Sequence, residues 1–317
     1  MTTPPSPQMP PPAPQAPAPQ EAAPPPPPQA SAPPGAGEQP PVPMQKRTGV
    51  ATYTSPIPVR GTHLGHALAS EWTKIRSVRS TVWTLVSMFA VTVGLGLLIA
   101  VAVATTNEDS MPPAVPGLIG MMLGQLAIIT FGVLVTSTEY TTGMIRPTFT
   151  ASPQRGRILA AKSLVFTLVA FTATACAMLL MLTLTRVILS DATATREMPG
   201  EIWVNGTVGI ALYVSLLGLL ALAAGSLLRS SAGAITLMMG LVLVPTIAAP
   251  FLYISETTRG IAEKVDEFSA IGSLVALSLG SSDSDVEGSG WGQVLFLTII
   301  TGVALAGAYV RLRKSDA

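Results

Sequence analysis

Residues 82–105 read VWTLVSMFAVTVGLGLLIAVAVAT, an unbroken apolar run without a single charged side chain. A helix rising about 1.5 Å per residue needs about 20 residues to cross roughly 30 Å of hydrocarbon, and this run has that length. Five more runs of the same kind follow, at about 117–137, 163–189, 207–228, 232–254 and 291–310. The expected fold is therefore an all-α membrane protein with six transmembrane helices.

Composition and charge placement support that reading. Hydrophobic residues make up 49% of the 317 and charged residues 11%, well below the roughly 25% of ordinary globular chains. The net charge of +1 conceals a sorted pattern. Cations crowd the approach to the first run (Lys46, Arg47, Arg60, Lys74, Arg76, Arg79), the link between the second and third (Arg146, Arg155, Arg157, Lys162), the turn at Arg229 and the C-terminus (Arg311, Arg313, Lys314). The positive-inside rule places these segments in the cytoplasm, so both termini are expected inside, in a multi-pass protein of the cell membrane. Without a cleavable leader pattern, the first span itself is expected to act as the targeting signal.

Residues 1–60 form a separate region, holding 21 of the 29 prolines. Too few apolar residues occur there to build a core, so a disordered, locally polyproline tail is expected. From His63 to Arg79 the pattern changes again. Leu64, Leu68, Trp72, Ile75, Val78 and Val82 recur every three or four positions, with Lys74, Arg76 and Arg79 largely between them. That spacing predicts a basic amphipathic helix over about 61–80, its apolar face in the membrane surface or on a partner. Further along, Phe268 to Leu279 is apolar but too short to span, which suits a re-entrant or interfacial helix.

Catalytic equipment is missing. The only histidines, His63 and His66, precede the first span, so neither an intramembrane Ser/His centre nor a histidine metal site can be assembled. No lysine follows a glycine, which removes the phosphate-cradling Gly-Lys-Ser/Thr loop. No catalytic residue, metal, cofactor or nucleic-acid partner is expected. The spans also carry almost no ionisable groups, whereas a proton- or ion-coupled carrier would be expected to hold some. Gln125 and Thr130 are the best mid-membrane polar groups and are expected to join helices. Cys176, alone in the third run, reads as apolar filler.

The segment between runs two and three is the most distinctive: Glu139-Tyr140-Thr141-Thr142-Gly143-Met144-Ile145-Arg146-Pro147, then Ser152-Pro153-Gln154-Arg155-Gly156-Arg157 and Lys162. Together with Ser70-Glu71-Trp72-Thr73-Lys74-Ile75-Arg76-Ser77, it resembles the membrane subunits of type-2 ATP-binding cassette exporters, particularly actinobacterial ones. The resemblance spans about Gly61 to Lys314. It implies an elbow helix carrying Trp72, Lys74, Arg76 and Arg79, and a coupling helix within Glu139 to Thr150 that docks on a separate ATPase chain. Glu139, Gly143, Arg146, Arg155 and Arg157 are the residues it assigns to coupling, Glu139 facing a donor at the span end and Gly143 allowing close backbone approach. The implied partners are an ABC ATPase subunit, a second copy or a related permease, and membrane lipid; the implied activity is outward movement of an amphiphilic or hydrophobic cargo. A non-transporting membrane scaffold that recruits partners through its Pro-rich tail is the alternative.

Overall fold

The computed structural model describes residues 63–106, 111–143, 155–189, 200–279 and 290–314. The Pro-rich tail and Arg146 lie outside them. Every regular element among the described residues is helical: α1 (Leu64–Ser77), α2 (Arg79–Thr106), α3 (Val115–Thr141), α4 (Arg155–Ile188), α5 (Gly200–Val204), a π segment (Asn205–Gly209), α6 (Ile210–Leu228), α7 (Ser231–Leu252), α8 (Arg259–Glu267), α9 (Ala270–Leu279) and α10 (Trp291–Lys314). Six of these stretches are long and apolar enough to cross a membrane: α2, α3, α4, the π segment with α6, α7 and α10. The chain is a multi-pass membrane protein.

The helices outrun the apolar segments that announce them. α4 begins at Arg155 rather than near residue 163, so Arg155 and Arg157 form its first turn and Lys162 lies inside the helix. α2 begins at Arg79, which is therefore part of the first span and not of the preceding helix. Between α1 and α2 only Val78 is extended (φ −82°, ψ 115°). Backbone hydrogen bonding continues a helix past the point where side chains turn polar, so hydropathy marks the lipid-facing length and not the helix ends.

α3 and α6 form the centre. Of the most apolar window of the fourth span, 78% is buried within the chain, against 17% for α7. α3 packs against α2, α4, α6, α7 and α9. It comes close because it is studded with glycine: a Cβ on Gly120 would strike the backbone of Thr92, one on Gly124 the Thr92 hydroxyl, and one on Gly132 the carbonyl of Gly218. Small residues at such crossings let dispersion contacts replace the hydrophobic drive that is absent in lipid. Phe131 and Phe166 fill the adjoining space, with ring centroids 4.9 Å apart. Glycines elsewhere behave differently. Gly96, Gly218 and Gly225 are packed within the chain, while Gly94, Gly302 and Gly307 face open space.

Most span hydroxyls bond back to their own helix. Thr130 donates to Leu126 O at 2.8 Å, and the Gln125 amide donates to Met122 O at 3.2 Å. Neither makes the inter-helix bond expected of it; Thr136, donating to Leu222 O at 3.1 Å, does. Pro245 and Pro250 both lie within α7. At the end of the bundle away from the cation-rich segments, the π segment closes with Ile210 N–H returning to Asn205 O, and Trp291 Nε1 donates to Asn205 Oδ1 at 3.1 Å. Arg186 lies over the Trp203 ring at 5.9 Å.

Candidate functional site

The periodicity of α1 leads directly to the site. Its apolar residues divide between two surroundings: Ile75 is buried and Leu68 half-buried against the bundle, whereas Leu64 and Trp72 are exposed. The residue buried beside Ile75 is Glu71, only 4% exposed. Helical spacing places Lys74 on the same face, three residues on.

Glu71 meets a lysine from the third span. Lys162 Nζ lies 2.8 Å from Glu71 Oε2, 2.9 Å from Glu139 Oε1 and 3.1 Å from Val135 O, which occupies all three ammonium protons. Lys74 Nζ closes the ring, 2.7 Å from Glu71 Oε1 and 2.9 Å from Glu139 Oε1. Two lysines and two glutamates thus alternate in a neutral cluster that joins α1, α3 and α4. The Glu71 and Lys162 side chains are each 5% exposed and Glu139 is 12% exposed. Isolated, any of these charges would be costly to bury; the alternation is what makes the placement tolerable. For Lys74, burial by itself would lower the pKa, but hydrogen bonds to Glu71 and Glu139, with their charges, hold it above the ordinary value near 10.5.

The position of the cluster matters as much as its charge. Glu139 stands four residues before Gly143, where α3 has ended, and Lys162 stands about 10 Å into α4 at the normal rise per residue. The cluster therefore pins together the two helices that frame the link at 144–154, and adds α1 as a third member. Gly143 has φ +72°, and a Cβ there would meet nothing within 4 Å. The left-handed backbone after the end of α3 favours glycine at this position.

Of the other expected residues, Trp72, Arg76 and Arg79 are exposed, so only Lys74 of that group turns into the cluster. Arg157 is half-buried on α4. Glu71 and Lys162 belong to the quoted segments, yet neither was expected to be part of the site. A lysine flanked by Ala160, Ala161 and Leu164 was the available signal, since an ionisable group in an apolar helix calls for a partner.

A second group of contacts involves Tyr140, the residue after Glu139. The Arg229 guanidinium sits over the Tyr140 ring at 5.4 Å, and Arg311 Nη1 donates to Leu227 O. Arg229 is the sole non-glycine residue with positive φ among those described (φ 54°, ψ 20°), and it ends α6 in the left-handed conformation.

Among the described residues no group of three or more His, Cys, Asp and Glu is placed to hold a metal ion. His63 and His66 are exposed at the start of α1, with His66 Nδ1 accepting from His63 N–H at 3.4 Å. No known protein-family model matches the chain, and no curated protein matches it either.

Proposed function

We propose that the chain is the permease subunit of an ABC-type exporter, working with an ATPase on a separate chain and pairing with a second copy or a related permease. The observation that carries this reading is the clasp of Glu71, Lys74, Glu139 and Lys162 at the base of the 144–154 link. A partner pushing on that link acts on α3 and α4 together, because the clasp prevents them from parting there, and α1 follows. ATPase closure is thereby converted into tilting of a three-helix unit rather than local bending of a loop. In this reading the cation-rich end, both termini and the link lie in the cytoplasm of a cell-membrane protein, in keeping with the basic residues gathered there. The cargo is amphiphilic or hydrophobic and moves outward. The chain itself is not catalytic.

The deciding experiment is to recover tagged protein from its host in mild detergent and identify chains that accompany it in stoichiometric amount. A Walker-motif ATPase is expected, lost when residues 144–154 are replaced by a Gly/Ser linker that leaves the clasp intact. Partners held instead by residues 2–58, with no ATPase, would establish the scaffold alternative.

A further inference from the structure

One set of cations is not used by the clasp. Arg311, Arg313 and Lys314 are exposed on the last turn of α10, and no carboxylate among the described residues pairs with them. The carboxylates of Glu71 and Glu139 are already engaged by Lys74 and Lys162.

The surface around these cations is apolar and exposed. Along α10, Leu295, Ile299, Val303 and Val310 are exposed and fall on one stripe at helical spacing; Arg313 extends the stripe by one turn. Tyr309, also exposed, carries the Arg313 guanidinium 5.6 Å from its ring, the arrangement of an aromatic belt residue at headgroup depth. Arg313 and Lys314 thus follow the apolar stripe in the last turn of the helix.

The neighbouring turn completes the chemistry. Arg311 reaches Leu227 O at the end of α6, two residues before the Arg229–Ser230 turn. At Arg229 the left-handed backbone would be filled at lower cost by glycine. The chain instead keeps a cation there, stacked on Tyr140.

We propose that this rim, built from the α6–α7 turn and the last turn of α10, is a binding site for the phosphate of an anionic phospholipid. Arg311 receives the phosphate oxygens, Arg313 and Lys314 flank the headgroup, and the acyl chains lie along the α10 stripe. The site does not depend on the exporter assignment, only on the chain lying in a membrane.

The test uses the full chain in detergent micelles, titrated with phosphatidylglycerol, phosphatidylcholine or inorganic phosphate, and read by thermal unfolding and by lipid retained in native mass spectrometry. Phosphatidylglycerol should stabilise the protein and be retained, and the other two should not. The Arg311→Gln, Arg313→Gln, Lys314→Gln triple variant should weaken that effect by about fivefold per cation removed, while Arg186→Gln leaves it unchanged. If the triple variant does not fold, the Arg313→Gln, Lys314→Gln double variant spares the contact to Leu227 and decides the matter. Equal effects of the two lipids, reproduction by inorganic phosphate, or an undiminished lipid preference in the variants would overturn the proposal. So would loss of a stoichiometric protein partner in those variants with lipid preference retained, which would make the rim a protein-docking face.

Discussion

Glu71 and Lys162, 91 positions apart in the chain, meet at 2.8 Å in a site where each side chain is 5% exposed. A buried pair of this kind is costly to break and much less costly to remove whole. Lys162→Met leaves two glutamates facing one lysine and should lower stability by about 3–5 kcal/mol. Adding Glu71→Met restores the charge balance through Lys74 and Glu139, so the double variant should recover part of the loss. Unfolding in detergent of the two single variants and the double one gives the coupling, expected at about 1–3 kcal/mol; additive losses would show that the two residues do not act as a pair.

The tight crossings of α3 predict which glycines resist change. Gly120→Ala and Gly132→Ala set a methyl group against backbone of α2 and α6 respectively, and each should cost about 1–3 kcal/mol. Gly94→Ala meets open space inside a helix and should be neutral or stabilising by about 0.5–1 kcal/mol. Melting temperatures of the first two variants should fall below that of the third.

At the α6–α7 turn, backbone strain and side-chain contact oppose each other. Arg229→Gly relieves about 1–2 kcal/mol of left-handed strain and forfeits about 0.5–1 kcal/mol of stacking on Tyr140, so its melting temperature should equal or slightly exceed that of the parent. Arg229→Val keeps the strain, worsens it with a branched Cβ and loses the stacking. It should be the less stable of the two by at least about 1 kcal/mol.

Lys74 makes the attachment of α1 sensitive to alkali. Its pKa is raised in the folded protein, so its contribution is complete below the ordinary value near 10.5 and fades as pH rises beyond that through the raised value. Hydrogen exchange of α1 should quicken in that range. Lys74→Arg, whose guanidinium stays protonated, should hold its protection to higher pH; identical profiles for the two proteins would show that another group governs the transition.

Six spans were legible because crossing a bilayer imposes length and apolarity on every helix, and both are visible residue by residue. Helix ends were less so: by hydropathy Lys162 belongs to the link before its span, whereas two further turns of α4 lie before it. The clasp was only half visible. Glu139 and Lys74 stand in conspicuous basic surroundings, but the pairing of Lys162 with Glu71 depends on α1 folding back along α4, and nothing in local spacing encodes that. The packing role of the glycines was likewise split, since Gly96 and Gly94 look alike in one helix until the position of α3 decides which has a neighbour.

The π segment at Asn205–Gly209 holds one residue more than an α-turn would. An added residue rotates everything on one side of it by about 100° relative to the other. The segment therefore joins two registers: that of α6, in step with α3 and α10, and that of α5, with Asn205 at the junction accepting from Trp291. A one-residue deletion inside the segment would merge the two registers and force the protein to give up one set of contacts or the other.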